Sequence, residues 1–330
     1  MSDTLDSTDM MPRDNPDDTS PSTPREHNDN APQTVSVLMA CYAKEKPEYL
    51  ASSLESLFSQ TVRPDSVVLV LDGPIGKGLE EVVARYASDP RAQLVIVRLP
   101  HNRGLPGALN AGLEHCTGTY IVRMDSDDIS EPDRLAIQLA YARAHPDVDL
   151  ISSWCEEFFD DGTPSRIKAS PTTHAAVARA LRWRNVIIHP TTFIRSEMLR
   201  KVGGYRTKYL TLEDWDLFNR LVLAGARLHV IPKPLLRFRT GLSLSRRRGG
   251  LTYLMDEIRF RSEYRRAGFL NWPEFLITST MYGVFRLIPS SLRMRLYSLV
   301  RVSKPRGEAA HAGAGTAPMD RHRFRWFRGL

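Results

Sequence analysis

Four consecutive residues, Asp125-Ser126-Asp127-Asp128, place three carboxylates close together in the chain. Such crowding is electrostatically costly unless a cation neutralises it, and carboxylate oxygens are ligands that suit Mg²⁺ or Mn²⁺. The cluster is therefore a candidate site for a divalent cation. The alternative is an acidic turn before a helix, because Asp and Ser are common in turns and caps. The next helix is predicted to start near Ser130, which with Asp133 around Pro132 resembles a capping box.

A second acidic pair, Glu213-Asp214, follows about ninety residues later and precedes Trp215. A carboxylate such as Asp214 can act as a general base that takes the proton of a hydroxyl nucleophile. The alternative is a helix start, where the macrodipole favours acidic residues. Trp215 either stacks on a flat ligand face or packs in the core. His189 either orients a substrate or has a structural role.

From Thr34 onward, short apolar runs alternate with segments of helical period. The predicted strands are residues 35–39, 67–71, 94–97, 120–124 and 148–151. Repeated strand–helix units predict an α/β fold with a mostly parallel sheet between helices. Ligands of such sheets bind beyond the carboxyl ends of the strands. Tyr42, Asp72 and Asp125 follow predicted strands and are therefore the first candidates for a binding site.

Composition and charge divide the chain into four segments. Residues 1–33 carry eight acidic and two basic side chains, which predicts a disordered acidic tail and leaves about +13 for the rest. A basic body suits nucleic acid, phosphorylated metabolites or an anionic membrane face. Residues 34–250 are predicted to form the α/β domain, 251–302 a helical extension and 303–330 a flexible basic tail. The three scattered cysteines favour neither disulfides nor zinc, which fits a reducing cytosol.

Four segments occur in the order and spacing of the family 2 glycosyltransferases, which have the GT-A fold. The segments are Val35-Ser-Val-Leu-Met-Ala-Cys-Tyr42, Val68-Leu-Val-Leu-Asp72-Gly73, Asn102-Arg-Gly-Leu-Pro-Gly-Ala-Leu-Asn-Ala-Gly112 and Val122-Arg-Met-Asp125-Ser-Asp-Asp128. The chain resembles this family over residues 34–240. Residues 45–50, 71–75 and 247–250 are similar to the amylovoran-type and other exopolysaccharide or O-antigen enzymes of bacteria.

The resemblance implies a role for each matching residue. The residues that would contact the nucleotide are Ala40, Tyr42, Asp72, Arg103 and Asp125. Asp127, with Asp125, would ligate Mn²⁺ or Mg²⁺, and Asp214 would be the general base. The residues that would lie near the acceptor or its phosphates are Glu213, Trp215, His189, Arg247 and Arg248. Many members carry a histidine where this chain has Thr240, sometimes as a third metal ligand, so we do not expect tight metal binding by the free protein.

The implied reaction is the inverting transfer of one sugar from a nucleotide-sugar, expected to be a UDP-sugar, to a glycan hydroxyl. A lipid-diphosphate-linked acceptor is expected. The QxxRW signature of processive synthases is absent, which favours single addition. One alternative is a non-catalytic nucleotide-sugar-binding or assembly subunit of a glycan-synthesis complex. Another is a nucleic-acid binder, which rests only on the pI and the Arg-rich tail.

The expected location is the cytoplasm, with peripheral contact to the inner face of the cytoplasmic membrane. Residues 269–302 interleave apolar side chains with Arg286, Arg293, Arg295 and Arg301. Such a basic amphipathic surface can lie on anionic lipid. The alternative is that this segment packs on the α/β domain.

Overall fold

The structure, a computed structural model, describes residues 33–91, 93–209, 211–240, 251–287 and 304–305. Most of both predicted tails, residues 288–302 and the predicted phosphate-binding residues Arg247 and Arg248 lie outside the described residues. The strands are β1 Val35–Cys41, β2 Ser66–Leu71, β3 Leu94–Arg98, β4 Tyr120–Asp125, β5 Ile129–Ser130, β6 Leu150–Phe158, β7 Arg166–Lys168, β8 Phe193–Arg195, β9 Leu228–Arg239 and β10 Lys304–Pro305. The helices are α1 Pro47–Phe58, α2 Lys77–Ala87, α3 Gly104–Leu113, α4 Arg134–Ala144, α5 His174–Leu181, α6 Ser196–Lys201, α7 Glu213–Leu223, α8 Leu251–Arg266 and α9 Trp272–Leu287.

Within the described ranges the strands form one sheet, which changes character at β4. Strands β3, β2, β1 and β4 lie side by side in parallel, as the regular strand–helix alternation predicts. Beyond β4, strand β8 is antiparallel to both β4 and β6, and β7 is antiparallel to β6. Strand β9 is parallel to β6, but near its end it pairs with β5 in the antiparallel sense. The predicted α/β fold is confirmed, and the parallel arrangement holds for the half that contains the first four strands.

The predicted capping box at Ser130 is wrong. Ser130 belongs to β5, where it pairs with Leu236 of β9, and α4 begins only at Arg134. Asp133, at the N-cap, makes no capping hydrogen bond with its side chain, and its carboxylate pairs with Lys233. The backbone N–H of Ser130 donates to Ser56 Oγ of α1 at 3.0 Å, and that of Glu131 donates to the carbonyl of Leu235 in β9. Local sequence gives no sign of either distant partner.

Two apolar layers cover the sheet, one on each face. Along β1, Leu38 packs in one layer whereas Val37 and Met39 pack in the other, because successive strand residues point to opposite faces. Helix α8 contributes to the Leu38 layer through Phe260 and Tyr264. At least this part of the predicted extension therefore packs on the α/β domain.

Within the described ranges, no helix combines the length and the apolar character needed to cross a membrane.

Gly112 of α3 lies where the helix crosses β1 and β2, and we expect Gly112→Ala to destabilise the fold. The added Cβ would lie 2.5 Å from both Leu38 Cδ1 and Val70 Cγ2. Overpacking of this kind costs typically about 1–3 kcal/mol. That cost exceeds the gain of about 0.5–1 kcal/mol from placing Ala in a helix. Urea unfolding should therefore give a lower free energy of unfolding for this variant.

The matched control is Gly283→Ala in α9. There the new Cβ would be 3.6 Å from Leu254 Cδ1, an ordinary contact. This variant has the same gain in helix propensity without the clash, so its free energy of unfolding should be equal to or above the wild-type value. Equal effects of the two substitutions would contradict the proposed close packing.

Candidate active site

The acid cluster lies at the carboxyl end of β4. Asp125 is the last residue of the strand, and Asp127 and Asp128 lie in the turn that leads to β5. Carboxylate oxygens of these three residues lie within 4.8 Å of one another. Among the described residues, the buried Oδ2 of Asp128 has no hydrogen-bond partner. Three carboxylates that offer hard oxygen ligands, one of them with an unpartnered buried oxygen, fit Mg²⁺ or Mn²⁺.

The electrostatics of the cluster agree with a cation site. Burial, together with the charges of Asp125 and Glu45, raises the pKa of Asp127 to about 7. Burial and the charges of Asp125 and Asp127 raise the pKa of Asp128 well above its ordinary value. The protein without a cation thus holds these carboxylates at an electrostatic cost, and a bound divalent cation would favour their ionised forms.

Two buried arginines lie below the acid cluster. Nη2 of Arg123, whose side chain is 3% exposed, is 2.5 Å from Oδ1 of Asp125. Nε and Nη1 of Arg123 have no hydrogen-bond partner among the residues that the structure describes. Arg134 is fully buried and donates from Nη2 to the carbonyl of Arg123 at 3.0 Å. Burial lowers the pKa of Arg134 to about 9. Arg123 and Arg134 thus place positive charge on the buried side of the turn that holds the acid cluster.

The residues expected to contact the nucleotide share the same sheet edge. Ala40 of β1 is the register partner of Asp125. Tyr42, just beyond β1, is 39% exposed. Asp72 directly follows β2, is buried, and accepts the backbone N–H of Arg103 at 2.6 Å. The bond between Asp72 and Arg103 holds the β3–α3 loop against the end of β2.

The second acidic pair forms the first turn of α7. Oδ1 of Asp214 accepts the backbone N–H of Trp215 at 2.7 Å, and Oδ2 accepts a bond from Asn185 Nδ2 at 2.8 Å. Asp214 is half-buried, whereas Glu213 is buried. Acidic residues are favoured in the first turn of a helix, where Asp214 lies. This residue therefore combines partial access to solvent with a fixed orientation.

The side chain of Trp215 points into the core. It is 4% exposed, its Nε1 donates to the carbonyl of Leu181 at 2.8 Å, and its ring centroid is 5.0 Å from that of Phe260. The packing alternative accounts for these contacts, and stacking on a ligand does not.

His189 is buried, and its Nε2 is 3.0 Å from the hydroxyl of Tyr205. Burial raises the pKa of Tyr205. The charges of Arg123, Glu213 and Asp214 also affect this pKa. The pair His189–Tyr205 thus lies within electrostatic range of both acidic sites.

Sequence reasoning assigned no role to several residues that shape the site. Glu45 accepts the Ser126 hydroxyl at 2.6 Å. The others are Arg123, Arg134, Asn185 and Arg239, which contact the two acidic sites or the strand that leads to them. Glu45 and Arg123 lie in segments that carry the family resemblance, and this location could have identified them as residues near the site. Asn185 and Arg239 come from parts of the chain without a recognised motif.

Comparison with known sequences matches residues 36–203 to Glycosyl transferase family 2, which is more than half of the chain. The chain belongs to this family of glycosyltransferases. It is 36% identical over 265 residues to the amylovoran biosynthesis glycosyltransferase AmsE of Erwinia amylovora, covering 79% of this chain and 97% of the relative. It is 33% identical over 276 residues to the UDP-Gal:alpha-D-GlcNAc-diphosphoundecaprenol beta-1,3-galactosyltransferase of Escherichia coli, covering 83% and 98%. The predicted family and enzyme class are confirmed.

Solved structures support the GT-A fold. TarS 1-349 of S. aureus in complex with UDP-GlcNAc aligns with a TM-score of 0.57 at 20% identity, covering 70% of this chain and 66% of that chain. The mannosyltransferase PcManGT from Pyrobaculum calidifontis, in complex with GDP-Man and Mn²⁺, aligns with a TM-score of 0.53 at 20% identity, covering 87% and 77%. At this identity the likeness concerns the fold alone.

His189 should make the stability of the protein sensitive to pH. Burial and the nearby charge of Arg123 lower the pKa of His189 well below 6.5. Below that pH the unfolded chain protonates this side chain while the folded protein does not. The free energy of unfolding should then fall with decreasing pH by up to about 1.4 kcal/mol per unit for this group. In urea unfolding at several pH values between 5 and 8, His189→Gln should therefore lose less stability than the wild type as the pH falls.

Burial also lowers the pKa values of His174 and His229, so some dependence should persist in the variant. His115→Gln, at an exposed position, is the control and should follow the wild type. If the dependence in His189→Gln is as steep as in the wild type, the buried neutral state of His189 is wrong.

Proposed function

We propose that this glycosyltransferase transfers a single sugar, with inversion, from a UDP-sugar to a hydroxyl of a lipid-diphosphate-linked glycan in exopolysaccharide biosynthesis. The observation that carries the proposal is the convergence of three carboxylates at the carboxyl end of β4. The donor class is supported by the E. coli relative, whose name specifies UDP-Gal and a diphosphoundecaprenol acceptor. The process is supported by the likeness to the amylovoran enzyme.

At the donor end, the chain offers groups of complementary chemistry for each part of a nucleotide-sugar. The exposed ring of Tyr42 provides a surface on which the base can stack, and the carboxylate of Asp72 can accept an N–H from its edge. Arg103, exposed at the start of α3, can pair with a phosphate. Asp125 would meet the ribose or the phosphates, and Asp127 would ligate Mn²⁺ or Mg²⁺. When bound, that cation supplies charge stabilisation for the departing nucleoside diphosphate.

At the acceptor end, Asp214 is the proposed general base. A hydroxyl is a weak nucleophile at neutral pH, so it needs a carboxylate within hydrogen-bond reach. The oxygen of the acceptor hydroxyl forms the new bond to the anomeric carbon while the bond from that carbon to the diphosphate breaks. The proton of the hydroxyl passes to Asp214. One such displacement inverts the anomeric configuration. Asn185 donates to Oδ2 of Asp214 and so holds the carboxylate in orientation.

The paired variants Asp127→Asn and Asp214→Asn should separate donor binding from turnover. Asp127→Asn should weaken Mn²⁺-dependent UDP binding by more than about tenfold, because loss of even an outer-shell partner of a metal costs roughly 10- to 100-fold. Asp214→Asn should leave UDP binding unchanged and lower turnover by about 10²- to 10⁴-fold, the usual contribution of a general base. Calorimetry with UDP and Mn²⁺ measures binding. Transfer from UDP-sugars to a prenyl-diphosphate-linked sugar measures turnover.

Each variant is the control for the other, because both replace Asp with a near-isosteric amide. Wild-type binding of UDP without turnover on any UDP-sugar would favour the non-catalytic subunit instead. Equal loss of UDP binding in both variants would contradict the separate assignment of the two carboxylates.

The lipid-linked acceptor agrees with an apolar surface on α9. Pro273, Leu276, Ile277, Thr280 and Val284 recur at helical spacing and are exposed. Leu276 and Ile277 help to line a surface depression of about 400 Å³. Residues 269–302 carry four arginines and one acidic residue, so an anionic lipid surface is the complementary partner. We propose that this face of α9 lies on the membrane that presents the acceptor.

Ile277→Glu should weaken binding to vesicles that contain phosphatidylglycerol by about tenfold or more, because it removes an apolar side chain worth about 1.5–3 kcal/mol when buried. Vesicle co-sedimentation at physiological salt measures this. The control is Val62→Glu, since Val62 is an exposed apolar residue outside α9. If Ile277→Glu instead changes the oligomeric state and leaves vesicle binding unaltered, the face covers a second copy and the membrane proposal is wrong.

A further inference from the structure

Arg239, the last residue of β9, lies where four parts of the fold meet. Its contacts reach the turn after β4, helix α1, the end of β6 and the turn that follows β6. Its side chain is only 11% exposed. Arginine side chains are rarely buried to this extent unless their charge is paired.

The first set of contacts is with the acid cluster. The backbone N–H of Arg239 donates to Oδ1 of Asp128 at 2.8 Å. Its side-chain Nε donates to the backbone carbonyl of Asp127 at 2.9 Å. One residue therefore holds both acidic residues of the turn, one through its carboxylate and the other through its backbone. Because Oδ1 of Asp128 is bonded in this way, the position of its other oxygen, Oδ2, is fixed as well.

The second set of contacts fixes the guanidinium itself. Its carbon lies 3.8 Å from the ring centroid of Tyr49 and 4.5 Å from that of Phe158. Nη1 pairs with the carboxylate of Asp160, which also accepts the Tyr49 hydroxyl at 2.6 Å. Two aromatic rings and one carboxylate thus leave the guanidinium plane little freedom.

These contacts require the planar, forked shape of arginine. Nε and Nη1 of one guanidinium serve the Asp127 carbonyl and the Asp160 carboxylate at the same time, while the plane contacts the aromatic rings. A lysine ammonium is a compact point charge and cannot do all three. Arg237, two residues earlier in β9, supplies a comparison because its guanidinium carbon is 4.9 Å from the same Phe158 ring. It is the register partner of Ile129 in the β5–β9 ladder. Among the bonds of the described residues, those from β9 to the acidic turn come from Arg239.

We propose that Arg239 is a positioning residue that sets the carboxylates of Asp127 and Asp128 for the divalent cation. This inference rests on the proposed metal-dependent function of the acid cluster. We expect Arg239 itself to contact neither donor nor acceptor. It acts by holding the turn between β4 and β5 against β9 and the aromatic pair.

The test compares Arg239→Lys with Arg237→Lys in the full chain. Calorimetry of UDP binding at a series of Mn²⁺ concentrations gives the Mn²⁺ concentration at half-maximal binding. This concentration should rise by about 10- to 100-fold in Arg239→Lys, the usual cost of losing an outer-shell partner of a metal. In Arg237→Lys it should stay at the wild-type value. Thermal unfolding without Mn²⁺ shows that both variants are folded.

Asp160→Asn is the milder second variant, because Asp160 is exposed and its loss leaves the aromatic contacts of Arg239 intact. It should raise the same Mn²⁺ concentration by about two- to fivefold, as expected for loss of an exposed ion pair. If both Lys variants give the wild-type value, or if Asp160→Asn also does, the positioning role is wrong. If wild-type UDP binding needs no Mn²⁺, the proposed function fails together with this inference.

Discussion

The rest of the site depends on one electrostatic constraint, the crowding of three carboxylates at the end of a buried strand. Burial and mutual repulsion raise the pKa values of Asp127 and Asp128, so the ionised turn is unfavourable unless positive charge approaches it. The fold supplies part of that charge through Arg123, which pairs with Asp125. The backbone of Arg239 adds a bond to Asp128. These contacts leave three carboxylates in close proximity, a set of oxygen ligands that fits a divalent cation.

The Gly-rich helix α3 supports the site from a distance through Asn110. Asn110 of α3 donates from Nδ2 to the carbonyl of Tyr205 and accepts the N–H of Tyr205 on Oδ1. The preceding Gly204 has a φ of +64°, and a Cβ there would lie 2.7 Å from Asn110 Oδ1. The turn therefore needs both glycine and Asn110, and it places the Tyr205 hydroxyl on His189, within electrostatic range of both acidic sites.

The sequence pattern was sufficient to predict the features that depend on residues close together in the chain. The first four strands, the start of α1 at Pro47 and the position of the acid cluster after β4 all follow from apolar runs, periodicity and helix-starting residues. The features that could not be predicted depend on contacts between distant parts of the chain. Ser130 joins a ladder with Leu236, and Nε of Arg239 donates to a carbonyl 112 residues earlier. The direction of the Trp215 side chain likewise depends on Phe260 of α8.

Two aspartates on α7, Asp214 and Asp216, lie two residues apart but in different environments. Asp216 is fully buried, pairs with Arg220 at 2.7 Å and accepts the Tyr264 hydroxyl at 2.7 Å. Its carboxylate therefore helps to attach α7 to α8. Asp214 lies on another side of the same helical turn, half-buried, and accepts a bond from Asn185. Because Trp215 packs on Phe260 of α8 and Asp216 accepts the hydroxyl of Tyr264, the first turn of α7 is attached to α8. The position of the proposed base Asp214 is therefore fixed by the two residues that follow it in the chain.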